Sequence, residues 1–146
     1  MIFIGIDPGQ NGGVALISED GEEVFAWDDD LFINTMRELY TAEEKAVAAV
    51  EKVGSMTGQG VKSTFKFGKS AGFIEGVLSA LDIPYQLVPP QTWKREFSLG
   101  SDKNQSINVC KRLFPKVNLL RTDKCRKEHD GMAEALLMAE YARRRF

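Results

Sequence analysis

The sequence predicts an α/β protein with a mixed β-sheet, and three observations lead to this fold class. Three short apolar segments separated by turn residues open the chain, which is typical of an antiparallel start. Two further strand-like segments then alternate with helical segments, which is typical of a sheet covered by helices. The chain has 146 residues, 43% of them hydrophobic and 27% charged, so we expect a single domain over residues 1–146.

The first three predicted strands follow one another closely. Residues 1–7 are apolar and end at Asp-Pro-Gly, which is a turn sequence. Residues 12–17 and 22–27 form two further strands, joined by a turn over residues 18–21. We expect these three strands to pair antiparallel, because short turns join antiparallel neighbours.

The remaining elements alternate between helix and strand. Residues 31–40 have helical spacing, and residues 46–51 (AVAAVE) form a buried strand that ends on a carboxylate. Residues 53–62 are rich in glycine and polar side chains and predict a mobile loop. The order β-β-β-α-β-α-β-α-α is completed by a helix over 64–81, a strand over 85–88 that Pro89-Pro90 ends, and helices over 102–113 and 130–145.

Charge is distributed unevenly, although the net charge is only −2. Residues 1–51 carry 12 acidic and 2 basic side chains, whereas residues 52–127 carry 14 basic and 5 acidic ones. This segregation is typical of a protein that binds a polyanion next to a cluster of carboxylates. A solvated charged surface is the alternative. Residues 91–127 hold 10 basic and 3 acidic side chains, so there we favour nucleic-acid binding.

The chain shows no signal for a membrane or for secretion. No apolar run approaches the roughly 20 residues of a membrane helix, and the start MIFIGID lacks the regions of a secretion signal. We therefore expect a cytoplasmic protein without a membrane partner. In that compartment Cys110 and Cys125 are expected to be free thiols.

Four carboxylates are expected to converge at one edge of the sheet. Asp7 and Glu51 each end a predicted strand, where ligand sites of α/β sheets gather. Asp130 and Glu134 lie four residues apart on the last helix and share a face. Such an oxygen-rich set suits Mg²⁺ or Mn²⁺, and two ions about 4 Å apart can activate water to attack a phosphodiester. Singly, Asp7 could be a turn residue, Glu51 a surface charge and Asp130 a helix N-cap.

Several short motifs occur along the chain in a distinctive order. They are Ile4-Gly5-Ile6-Asp7-Pro8-Gly9 with Gly12-Gly13, Val50-Glu51, Gly58-Gln59-Gly60 to Phe67-Gly68, Val88-Pro89-Pro90 with Trp93-Lys94, Asp102-Lys103, and His129-Asp130-Gly131-Met132-Ala133-Glu134-Ala135. This set resembles the RuvC-type Holliday junction resolvases, most closely the short phage or viral members. The resemblance implies a ribonuclease H-like fold, in which a mixed sheet with its first three strands antiparallel carries helices on both faces.

Carried over by position, the resemblance implies a two-metal active site. Asp7, Glu51, Asp130 and Glu134 would bind two Mg²⁺ ions, for which Mn²⁺ can substitute, and Lys103 would lie near the scissile phosphate. The last acidic pair is spaced by four residues instead of three, and Glu134 stands where aspartate is usual. Helix geometry still leaves both side chains on one side.

The resemblance also implies how DNA and a second subunit are bound. Lys94 would contact DNA, and the other basic residues of the middle of the chain, among them Lys62, Lys66 and Lys69, would follow the DNA arms. The family acts as a homodimer, and the helix over 64–81 would form much of the dimer surface. Core packing alone also explains the apolar stripe of this helix.

Three further positions carry more than one interpretation. The aromatic wedge of the bacterial enzyme corresponds to Gly54 here, and Met56 is the candidate replacement. His129 could orient the attacking water or bind phosphate, since nearby anions would raise its pKa, or it could begin a helix with a hydrogen bond to the backbone. Trp93 could stack on a base, although burial in the core is favoured.

The sequence therefore predicts a Mg²⁺-dependent endonuclease that cleaves four-way DNA junctions by symmetric nicks through two-metal phosphodiester hydrolysis. One alternative is a less selective nuclease for branched DNA, forks or flaps. Another is a non-catalytic DNA-binding protein that retains the fold. The four acidic residues argue against the last alternative, because clustered negative charge beside phosphates opposes DNA binding.

Overall fold

The first strand forms because an apolar run is closed by a turn. Ile2–Asp7 (β1) is followed by Pro8 and Gly9, which end the strand. The computed structural model describes residues 1–54, 58 and 60–146, the side chain of Lys103 excepted. The other strands are β2 (Gly13–Ser18), β3 (Gly21–Ala26), β4 (Ala46–Glu51) and β5 (Tyr85–Val88).

The strands form a mixed sheet in the order β3-β2-β1-β4-β5. Strand β1 pairs antiparallel with β2, placing Ile6 opposite Val14, and β2 pairs antiparallel with β3. On its other side β1 pairs parallel with β4, placing Ile6 opposite Val50, and β4 pairs parallel with β5. The predicted antiparallel start of three strands is confirmed, and β1 lies where the antiparallel and parallel halves meet.

Helices cover both faces of the sheet, as the sequence predicts. They are α1 (Asp29–Thr41), α2 (Val61–Ala80), α3 (Pro90–Glu96), α4 (Lys103–Leu113) and α5 (Asp130–Arg145). Helices α1 and α2 bury Phe32 and Ile74 against the face that presents Ile4 and Ile6. Helices α3, α4 and α5 form the second core, around Trp93, on the opposite face. The predicted α/β class is therefore confirmed.

Two helix starts differ from the prediction. Pro89 and Pro90 predict only the end of β5, yet Pro90 begins α3. A proline fits the first turn of a helix because its missing N–H has no partner to lose there. Helix α2 begins at Val61 instead of residue 64, so Val61 and Lys62 of the predicted loop are helical, and the carbonyl of Gly60 accepts a hydrogen bond from the Thr64 N–H at 3.0 Å.

Helix α5 lies unusually close to the sheet because glycines line the contact. A Cβ on Gly5 of β1 would overlap the backbone of α5 at Ala135. A Cβ on Gly131, in the first turn of α5, would overlap the carbonyl of Asn11 in the turn between β1 and β2. The start of α5 is therefore held directly against the turn that follows β1.

Two smaller predictions concern the thiols and the membrane. Cys110 and Cys125 are both free, as expected. None of the helices in the described part of the chain is long and apolar enough to cross a membrane.

Candidate active site

Asp7 and Glu51 lie side by side because their strands are parallel neighbours. Ile6 pairs with Val50, so the two carboxylates follow at the same edge of the sheet. Side chains alternate along a strand, and Ile6 and Val50 belong to the core beneath α1 and α2. Asp7 and Glu51 therefore point to the opposite face, where α5 packs.

Helix α5 supplies a third carboxylate to this edge. Its first turn contacts the turn between β1 and β2 at Gly131, and Glu134, about one turn further along, lies near Asp7. One oxygen of each of Asp7, Glu51 and Glu134 lies within 4.8 Å of the others, and the three residues are partly buried. Hard oxygen donors at this separation can hold a divalent cation. We call these three residues the carboxylate triad.

The triad is electrostatically strained without a cation. Burial raises the pKa of Asp7 well above its ordinary value, and the charges of Glu51 and Glu134 raise it further. Burial is also the main reason that the pKa values of Glu51 and Glu134 are raised. Without a cation, these shifts favour protonated carboxyl groups in the triad. A divalent cation would displace protons from these carboxyl groups and offset two of the three negative charges of the triad.

Asp130 lines the same cleft as the triad but is not part of it. It is the first residue of α5, and its charge raises the pKa values of Asp7 and Glu134. His129, not Asp130, is the N-cap of the helix. The structure thus brings all four predicted carboxylates to one cleft. Of the two carboxylates on α5, Glu134 is the one that joins Asp7 and Glu51 in the triad, which the sequence pattern alone does not indicate.

Glu51 is held by Trp93, which is fully buried. The Nε1 of Trp93 donates a hydrogen bond to Oε2 of Glu51 at 2.8 Å. Lys94, the next residue of α3, has its Nζ 5.6 Å from the centre of the Trp93 ring, and its charge lowers the pKa values of Glu51 and Glu134. The sequence pattern does not predict this role of Trp93, because α3 is not predicted from it. A proline at the first helical position is the signal that could have revealed the helix.

A cleft of about 710 Å³ is lined by the carboxylates and by residues of α2. Lys66 and Lys69 of α2 line it, together with Phe67, whose side chain is 41% exposed. Trp27 and Phe73 add two further aromatic side chains. Two of the predicted DNA-binding lysines therefore line the same cleft as the carboxylates.

The other predicted basic and wedge residues are placed differently. Lys62 lies exposed in the first turn of α2 and is not among the residues that line the cleft. Lys94 lies beside the triad. Lys103 begins α4, but its side chain lies outside the described part of the chain, as does the whole of Met56. The roles predicted for Lys103 and Met56 stay predictions.

His129 begins α5 as a capping residue. Its Nδ1 accepts a hydrogen bond from the backbone N–H of Met132 at 3.1 Å, so only Nε2 is left for a substrate. Burial lowers the pKa of His129, which outweighs the opposing charge of Asp130, and Arg121 lowers it further. The charge of Asp130 raises this pKa as expected, but the net shift is downward because burial dominates.

The architecture matches solved structures of DNA junction resolvases. RuvC of Thermus thermophilus in complex with Holliday junction substrate matches with a TM-score of 0.63 and 17% sequence identity, over 99% of this chain and 96% of that one. A second Thermus thermophilus RuvC structure gives a TM-score of 0.60 and 18% identity over the same shares. This chain has the RuvC-type fold.

A third solved structure shares this fold with a lower TM-score. The yeast mitochondrial Holliday junction resolvase Ydc2 matches with a TM-score of 0.53 and 17% identity, over 93% of this chain and 75% of that one. No family model matches the sequence, and no curated protein matches it either. The ribonuclease H-like class is confirmed, whereas at such identities the likeness establishes a fold and not a chemistry.

Proposed function

We propose that this chain is a Mg²⁺-dependent endonuclease that resolves four-way DNA junctions by paired, symmetric nicks. The observation that carries the proposal is the carboxylate triad inside a cleft that Lys66 and Lys69 also line. In a protein that only bound DNA, carboxylates placed beside the phosphates would weaken the affinity for DNA. A Thermus thermophilus RuvC with the same fold was solved with a Holliday junction substrate, and we assign the same substrate class here.

The metal requirement follows from the donor set. Asp7, Glu51 and Glu134 offer oxygen ligands, with Asp130 in the same cleft, and Mg²⁺ and Mn²⁺ both prefer such ligands. We assign two ions to the site. When bound, the ions supply activation of a water and stabilisation of the leaving 3′-oxygen. The triad side chains would hold the ions, and binding would release the protons that the raised pKa values favour on the free carboxyl groups.

The two carboxylates of α5 are expected to contribute unequally to the nicking rate. Glu134→Gln should lower the single-turnover nicking rate by about 10³-fold or more, because it removes a triad oxygen worth several kcal/mol in the transition state. Asp130→Asn should lower it by only about tenfold, because Asp130 contributes charge from outside the triad. Equal losses in the two variants, measured on a labelled junction at saturating Mg²⁺, would contradict this ranking.

The lysines of α2 are assigned to the phosphates that flank the cut. Each phosphate contact adds about one unit to the slope of log affinity against log salt. Lys66→Ala combined with Lys69→Ala should therefore reduce that slope by about two units, when junction binding is measured in chelator at several salt concentrations. Lys45→Ala is the matched control, because Lys45 is exposed at the opposite end of β4 from Glu51 and should leave the slope unchanged.

Paired nicks need two active sites, and α2 offers a surface for a second copy. Val61 and Phe65 in its first half are 89% and 71% exposed. The predicted apolar stripe is therefore split, since Ile74 and Leu78 pack into the core while Phe65 does not. We assign the exposed apolar side chains of α2 to a homodimer contact. Covering large apolar side chains with a partner removes them from water and stabilises the complex.

The deciding experiment compares substrates. Purified protein is incubated with a labelled immobile four-way junction, a fork, a flap and a linear duplex, with Mg²⁺, with Mn²⁺ and with chelator. We expect metal-dependent, symmetric nicks on the junction and none on the duplex. Cutting spread over forks and flaps would keep the nuclease chemistry and replace the substrate with branched DNA in general. Junction binding in chelator without cutting in either metal would favour a non-catalytic DNA-binding protein.

A further inference from the structure

The contact between Trp93 and Glu51 joins the buried core to the carboxylate triad. The indole N–H lies 2.8 Å from Oε2 of Glu51, across 42 residues of sequence. Trp93 is 0% exposed and packs in the core formed by α3, α4 and α5, so its ring is fixed by its surroundings. Glu51 is only partly buried and ends a strand. The rigid partner of the pair is therefore the tryptophan.

The backbone delivers Trp93 to this position by a short route. Val88, the last residue of β5, pairs with Glu51 in the parallel ladder, and the Lys52 N–H donates to the Val88 carbonyl at 2.8 Å. Pro89 and Pro90 then start α3 at once, which leaves Trp93 in its first turn. The strand pairing that places Glu51 thus also places the group that holds it.

The chemistry of the indole suits a permanent hold on one oxygen. An indole N–H only donates and does not titrate, so it can bind a carboxylate without ever competing for a cation. A glutamate side chain without such a partner loses rotamer entropy when a metal fixes it. We propose that Trp93 is a positioning residue of the metal site: its N–H holds Oε2 of Glu51 and leaves the other oxygen to a cation.

This inference rests on the proposed metal site and is independent of the DNA substrate. Partners of metal ligands typically change metal affinity by about 10- to 100-fold when they are removed. Trp93→Phe keeps a flat apolar ring and removes the N–H. We expect the Kd for Mn²⁺, titrated into the DNA-free protein and followed by electron paramagnetic resonance, to rise by about tenfold or more. The Mg²⁺ concentration for half-maximal nicking should rise in parallel, while junction binding in chelator stays unchanged.

Two controls separate positioning from packing. Phe97→Leu replaces an aromatic ring of the same core with a smaller side chain and leaves the hydrogen bond to Glu51 in place. It should therefore lower the melting temperature and leave the Mn²⁺ Kd unchanged. Replacement of Trp93 by β-(3-benzothienyl)alanine keeps the size of the indole and exchanges only the N–H for sulfur. It should reproduce the Mn²⁺ defect of Trp93→Phe with a smaller loss of stability.

The outcomes also separate this inference from the proposed function. A Mn²⁺ Kd within twofold of the wild-type value in the benzothienyl protein overturns the positioning role, even if the wild type nicks junctions. Absence of saturable Mn²⁺ binding in the wild type overturns it too. A tenfold weaker Kd supports it, even if the wild type cuts no junction and the proposed nuclease activity fails.

Discussion

Asp7→Asn should abolish nicking while junction binding persists. Asp7 is the triad member at the end of the central strand, and the variant replaces a charged ligand with a neutral amide. A loss of about 4 kcal/mol in transition-state stabilisation corresponds to a rate about 10³-fold lower. Single-turnover nicking of a labelled junction at saturating Mg²⁺ measures the rate, and binding in Ca²⁺ or chelator measures the affinity. Asp20→Asn, an exposed change in the turn between β2 and β3, is the control and should be neutral.

The same variant should be more stable than the wild type when metal is removed. The pKa of Asp7 is raised in the folded chain by burial and by its carboxylate neighbours, so the folded state binds its proton more tightly than the unfolded state does. The contribution of this group to stability is therefore greatest at acidic pH and falls as pH rises through the raised pKa. Asparagine does not ionise and avoids that loss.

We expect the melting temperature of Asp7→Asn in chelator at pH 8 to exceed that of the wild type by about 2–4 °C, for a gain of about 1 kcal/mol in a chain of this length. At acidic pH, below the ordinary carboxyl range, the difference should vanish. Added Mg²⁺ should reverse the order, because binding to the folded state stabilises only a protein that keeps the site. If Asp7→Asn were no more stable than the wild type and nicked at the wild-type rate, the assignment of Asp7 to the metal site would be wrong.

Gly131→Ala should push the start of α5 away from the turn that follows β1. A Cβ at this position would overlap the carbonyl of Asn11 and the backbone of Gly12, and backbone atoms cannot turn aside as a flexible side chain can. We expect a loss of about 3 kcal/mol, at the upper end for overpacking, and a melting temperature about 6–12 °C lower. Because Glu134 reaches the triad through this turn of the helix, nicking and Mn²⁺ binding should fall as well.

A matched glycine distinguishes crowding from helix propensity. Gly76 lies in α2 and has nothing within 4 Å of an added Cβ. Gly76→Ala should therefore stabilise the protein by about 0.5–1 kcal/mol, since alanine favours the helix. Thermal melts of both variants in chelator provide the comparison. If Gly131→Ala melted with the wild type, the close approach of α5 to the turn after β1 could not be what positions Glu134.

Much of the architecture could be predicted because it is encoded locally. The antiparallel start follows from short turns, and the bounds of β4, β5 and α5 agree with the predicted ranges. Helix α3 escaped prediction because a proline pair ends a strand and begins a helix equally well. The exposure of Phe65 also escaped it, because helical spacing marks an apolar side chain without showing what covers it.

The sequence by itself determined that Asp7 and Glu51 end strands and that Asp130 and Glu134 share the start of a helix, since each fact depends on a few neighbouring residues. Only the tertiary structure decided that Glu134 joins the triad and that Trp93 holds Glu51. Both depend on how α3 and α5 pack against β1 and β4. That packing is set by backbone contacts at glycines and by side-chain contacts between segments that are distant in the sequence. Local sequence patterns do not specify the distances between segments that are far apart in the chain. The geometry of a metal site depends on those distances.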